Sequence, residues 1–137
     1  MKTTLLLLSL LLFKTIYSQE LIGQSEEQIY AYLKTKGIVK EKVETGKRPD
    51  DDARWLSYSE GTVKYMCVFD KSSNCVYLRI VYPNSYLSQV QKSLKESRYT
   101  ALSDSSWQYQ SNNNTYHIYL IKDEKYFMVD KSPEKTP

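Results

Sequence analysis

A chain of 137 residues with 26% charged and 41% hydrophobic residues has the make-up of a globular domain with one core. Its formal charge of +3 is too small for a field that gathers polyanions, and four glycines leave no place for a Gly-rich phosphate loop. One histidine and two cysteines supply too few donors for a transition-metal site.

The N-terminus carries Lys2, then the apolar run Leu5 to Phe13 broken only by Ser9, then KTIYSQE. This order of charge, apolar core and small residues is that of a secretory signal peptide, expected to be cut after Ser18. The run falls short of the roughly 20 apolar residues that a spanning helix needs. Residues 19–137 then form a single α+β domain with no membrane span. Lys2 and Lys14 leave with the signal, so 17 basic and 16 acidic residues remain, a net charge of +1. The expected location is the periplasm or the extracellular space, and nucleic acid is not an expected partner. In an oxidising compartment Cys67 and Cys75 are expected to be bridged. The loop is short, so the bridge contributes less than the ~3 kcal/mol of a 15-residue loop.

SEEQIYAYLKTKG opens the domain as a helix. Ser25 and Gln28 make a capping-box pattern, Ile29, Tyr32 and Leu33 share a face, and Gly37 suits the C-terminal cap. The connector from Ile38 to Arg54 ends in ETGKRPDDDAR, too polar for a core and read as a mobile surface loop. Strands are expected at 55–59, 62–69 and 75–82, with Pro83 as the stop. A second helix, SYLSQVQKSLKES, aligns Leu87, Val90 and Leu94. Strands at about 106–110, 115–122 and 125–130 follow, with NNN and Asp123-Glu124 as turns. The order is αβββ twice, with repeat one at about 24–83 and repeat two at about 84–133. Trp55 leads the first meander and Trp107 the second. Packing two helices on one face of a joined antiparallel sheet would bury the apolar side of each element.

Period-two alternation separates the sheet faces. Counting two residues for the Asp123-Glu124 turn sets His117 opposite Asp130 and Tyr119 opposite Met128. Counting three Asn as a loop sets Tyr109 opposite His117 and Trp107 opposite Tyr119. In the first meander Met66, Val68, Val76, Leu78 and Ile80 share one side. Tyr65, Cys67, Phe69, Cys75, Tyr77, Arg79 and Val81 share the other. With the aliphatic sides under the helices, the remaining face is a platform of Tyr58, Tyr65, Tyr77, Arg79, Trp107, Tyr109, His117 and Tyr119. Trp55 falls on the core side by this count, unlike Trp107, unless a bulge intervenes.

Rings with a polar tip are enriched at binding hot spots, and 13 Tyr against three Phe favour a wetted face over a dry one. Tyr also simply suits strands, and a dimer partner or the connector is an alternative cover. His117 beside Asp130 admits a small enzyme as the competing class, but no Gly-x-Ser-x-Gly turn is present. Asp50, Asp51 and Asp52 lack the alternate spacing of a calcium loop. Asn113-Asn114-Thr115 matches a glycosylation sequon. No cofactor is expected.

VKYMCVFDKSSNCVYLRIVYP and the IYSQE signal end resemble small exported proteins of Bacteroidota-type bacteria that lack an assigned function. The two helix-plus-sheet units with an aromatic face are similar in architecture to β-lactamase inhibitor proteins, a similarity that implies a role in binding another protein. The expectation is an exported, non-enzymatic binding module that holds a protein, peptide or glycan on its aromatic sheet face. A homodimer subunit is the structural alternative.

Overall fold

The structure is a computed structural model, and it describes residues 21–111 and 113–134. The expected signal peptide, residues 1–18, lies outside the described residues. A single eight-stranded sheet dominates. Its strands are β1 (Glu44–Lys47), β2 (Arg54–Glu60), β3 (Val63–Phe69), β4 (Cys75–Pro83), β5 (Thr100–Ser103), β6 (Ser106–Ser111), β7 (Asn114–Lys122) and β8 (Tyr126–Pro133). Their order across the sheet is β1-β2-β3-β4-β8-β7-β6-β5, with every neighbour antiparallel. Each half is thus a four-strand meander, and the halves meet where β4 pairs with β8 from Leu78↔Lys131 to Pro83↔Tyr126.

This corrects the expected architecture of two αβββ repeats with two helices on one sheet face. Among the described residues strand makes up 50% and helix 21%, so the fold is sheet-rich. The two α-helices among the described residues are short, α1 at Glu26–Thr35 and α2 at Leu87–Ser93. The two strands missed by sequence reasoning are the edges, β1 (ETGK) and β5 (TALS). Their side chains are almost all exposed, so no apolar alternation marks them. They are strands because a neighbour's backbone offers them a ladder, a tertiary cause that local sequence does not carry. The connector read as a mobile loop therefore contains β1, and its acidic part is a tight turn. Arg48 N donates to Ala53 O at 2.9 Å, and the Asp51 carboxylate accepts from Arg48 Nε at 3.1 Å and from Ala53 N at 3.1 Å.

α1 starts where the capping box predicts. Gln28 N donates to Ser25 Oγ at 3.2 Å and Ser25 N to Gln28 Oε1 at 2.9 Å, satisfying two donors that a helix N-terminus otherwise leaves open. Gly37 follows its last turn at φ 74°, a region disfavoured for residues with a Cβ. α2 is shorter than its apolar spacing suggests. A 3₁₀ turn at Asn84–Tyr86 precedes it, and Ser93 Oγ bonds back to Gln89 O at 3.1 Å, a contact that competes with helix continuation. Ile29, Leu33, Val90 and Leu94 are buried in one hydrophobic cluster with the inward side chains of the sheet. Each such side chain contributes roughly 1.5–3 kcal/mol by leaving water.

The core face of the sheet is aromatic. Tyr58 pairs with Tyr65, Tyr82 with Phe127 and Tyr109 with Tyr116 directly across neighbouring strands. All three pairs stack, with ring centroids at 4.9, 5.0 and 5.2 Å. Tyr99 meets Tyr109 edge to face at 5.6 Å. Cross-strand ring pairs of this kind add about 0.5–1.5 kcal/mol beyond area burial and hold the register of the strands that carry them. Burial pushes the phenols of Tyr58, Tyr65 and Tyr109 well above the ordinary tyrosine range, so these rings are neutral packing groups.

Candidate functional site

The face opposite this core is built by the alternate residues of the same strands. One row across it reads Ser57, Met66, Arg79, Asp130, Tyr119 and Ser106, each opposite the next. Flanking rows bring Trp55, Val68 and Tyr77 into line, and Lys64, Val81, Met128 and Ile121. Of the eight residues expected on the platform, Tyr77, Arg79, His117 and Tyr119 share this face. The other four, Tyr58, Tyr65, Trp107 and Tyr109, lie on the core face, so the expected division of aliphatic inside and aromatic outside does not hold.

Two single-residue effects account for the exchange. Phe69 pairs with Cys75 but Val68 with Tyr77, so Val76 is an extra residue in β4. This bulge shifts β3 by one, and β2 with it, which turns Tyr58 and Tyr65 inward and Trp55 outward. At the β6–β7 turn Ser111 pairs with Asn114, closing a two-residue turn in which Asn113 takes φ 64°. Three Asn were counted as loop where the third is a strand residue, and the one-residue difference sends Trp107 and Tyr109 to the core.

At the β7–β8 turn the error is even and the faces survive. Lys122 pairs with Phe127, and Asp123 N donates to Tyr126 O at 2.9 Å, so the turn is centred one residue later than expected. The register moves by two. Asp130 therefore stands opposite Arg79 and Tyr119, and the expected His117–Asp130 pair does not form. His117 stands opposite Ser132, with Nδ1 3.5 Å from the Tyr119 hydroxyl and Nε2 3.7 Å from Glu134 Oε1.

The centre of this face is a clamped ion pair. Arg79 Nε and Nη2 donate to Asp130 Oδ1 and Oδ2, both at 2.8 Å, a bidentate geometry that fixes the guanidinium on the carboxylate. The Asp130 hydrogen bond raises the Arg79 pKa further above its already high range, so this charge is permanent. The Tyr77 ring lies 5.9 Å from the guanidinium carbon, and burial followed by Asp130 pushes its phenol pKa up. Beside this rigid pair lies a softer patch. Tyr119 is 46% exposed, Ile121 39% and Tyr126 39%, with Met128 directly opposite Ile121. Ile121 and Tyr126 were not singled out from sequence, although their alternation with Tyr119 and Met128 was legible there.

Trp55 closes the other end of the face by lying over Gly46 of β1. A Cβ at position 46 would meet the indole at 2.6 Å, so this glycine is there for close approach. A separate groove of about 880 Å³ runs between α1 and the Gly37–Glu41 segment. Tyr30, Ile38 and Val39 give it apolar walls, and its acids and bases balance, with Glu26 paired to Arg54 at 2.8 Å. Among the described residues no group of three His, Cys, Asp or Glu side chains is placed to hold a metal ion, and no helix is long and apolar enough to cross a membrane. No family model, curated protein or solved structure matches the chain.

Proposed function

We propose that the chain is an exported, non-enzymatic binding module, acting in the periplasm or outside the cell, whose open sheet face holds a polypeptide partner. The observation that carries this reading is the grouping of Tyr119, Ile121 and Tyr126 on that face, three of the five exposed large hydrophobic residues among the described residues. An antiparallel sheet with one side on a core ordinarily turns polar residues to water on the other. Here rings and aliphatics stand exposed beside a fixed Arg79–Asp130 pair. Aromatic anchors next to an arginine are the composition of protein-binding hot spots. Ile121, Met128 and Val81 favour a protein or peptide over a glycan, because a saccharide stacks on rings but leaves aliphatic side chains without a matching contact.

A photoreactive residue at position 121 tests the reading in cells that make the protein. The expected result is a cross-link to one discrete protein that Tyr119→Ala abolishes, with no such product when the probe sits at Leu102, 51% exposed on the edge strand β5. Cross-linking to a second copy of the chain, together with a dimer mass by light scattering, would replace the reading with a homodimer interface. Equal labelling from positions 121 and 102 would sink both.

A further inference from the structure

Cys67 on β3 and Cys75 at the start of β4 are both wholly buried in the same core cluster, and both are free thiols in this structure. They flank the irregularity in the sheet: Cys75 is the last residue paired before the bulge, opposite Phe69, and Cys67 pairs after it, opposite Leu78. Cys75 Sγ also lies 3.5 Å from Tyr77 O, the residue just past the extra Val76. The turn between the strands is tight. Asp70 Oδ1 accepts from Ser72 N at 2.9 Å and Asn74 N at 3.0 Å, and Asp70 N donates to Asn74 O at 2.9 Å. One closed hairpin therefore carries both cysteines, diagonal to one another across the bulge.

We propose that Cys67 and Cys75 are a redox modification site, joined in the working protein by an intramolecular disulfide that pins the Val76 bulge and so fixes which side of the sheet Tyr77 and Arg79 present. The oxidant is a disulfide-bearing exchange partner, a thiol oxidoreductase or oxidised glutathione. One thiolate of the pair attacks one donor sulfur, forming a mixed disulfide and releasing the first donor thiolate. The other cysteine, deprotonated, then attacks the protein sulfur of that mixed disulfide, closing the intramolecular bond and releasing the second donor thiolate. Two thiol protons are given up and two electrons reduce the donor. Since neither sulfur meets solvent, exchange occurs while the β3–β4 hairpin is still open, and the closed sheet then shields the bond from reductants.

This inference is independent of the docking reading. The full chain, recovered from producing cells and unfolded in N-ethylmaleimide without reductant, should carry no alkyl groups and weigh about 2 Da less than the reduced form. Reduction under conditions that open the hairpin should lower the melting temperature by on the order of 10 °C. Cys67→Ser/Cys75→Ser should melt at the same temperature with and without reductant. Double alkylation, or bridges only between chains, would overturn the proposal, and the mass measurement on the unaltered protein decides it even if the double variant does not fold.

Discussion

Two meanders in one sheet each carry a tryptophan on their second strand, and the two tryptophans face opposite ways. Trp55 lies on the open side across Gly46, and Trp107 lies on the core side, packed against the buried cluster. Both meanders carry the same succession of Trp, Tyr, turn and strand. What separates them is one residue in each: the extra Val76 in β4, and the third Asn taken into β7. With a side-chain period of two, an odd difference exchanges the faces of a strand and an even one leaves them unchanged. Faces are therefore decided at turns and bulges, where the hydrophobic pattern is weakest.

The sharpest way to break this comparison is to cut a ring on each side of one strand. Phe127→Ala removes a fully buried ring stacked on Tyr82 and should cost about 3–5 kcal/mol in denaturant unfolding. Met128→Ala, one residue on and facing outward, should cost less than about 1.5 kcal/mol. Similar losses at both positions would mean that the two sides are not distinct.

Lys131 tests the core face by pH. It is 1% exposed between Leu78 and Ile118, and burial with the nearby Arg98 charge lowers its pKa to about 7. Its unfolded value is near 10.5. Between these values the folded protein binds fewer protons than the unfolded chain, so stability should fall as pH drops from about 10 to 7, by on the order of 1 kcal/mol per unit. Below pH 7 this contribution levels off. Lys131→Met should flatten the slope, as read from urea midpoints across that range.

Gly46→Ala places a methyl group against the Trp55 indole and should cost about 1–3 kcal/mol. In a Trp107→Phe background it should also shift the remaining tryptophan emission, whereas the same change in a Trp55→Phe background should leave Trp107 emission in place. The smallest effect is expected at the β6–β7 turn. Asn113 holds φ 64°, so Asn113→Ala should lose about 1 kcal/mol while Asn113→Gly stays within about 0.5. Equal melting temperatures for the two would show that this turn does not hold the register.

The helix start at Ser25, the six inner strands and the outward set of His117, Tyr119 and Met128 were legible because each rests on local chemistry or on an even count. The edges β1 and β5 were not, because only a neighbour's backbone makes them strands. The platform residues Tyr58, Tyr65, Trp107 and Tyr109 were misplaced for a different reason. A tyrosine suits an inner face as well as a wet one, so ring content cannot say which way a strand faces. Their stacking partners could have been found by asking which registers set ring against ring. That criterion selects Tyr58 with Tyr65 and Tyr109 with Tyr116 over the registers that scatter them.

The seam between β4 and β8 bears on how the molecule comes into being. β8 comes after β7 in the chain, yet it sits near the middle of the sheet, between β4 and β7. Until it emerges, the inner edge of the first half stays without its partner strand. Joining the two halves therefore waits for β8, and it is limited by a contact between segments far apart in sequence. The seam strand thus sets the moment at which two half-sheets become one.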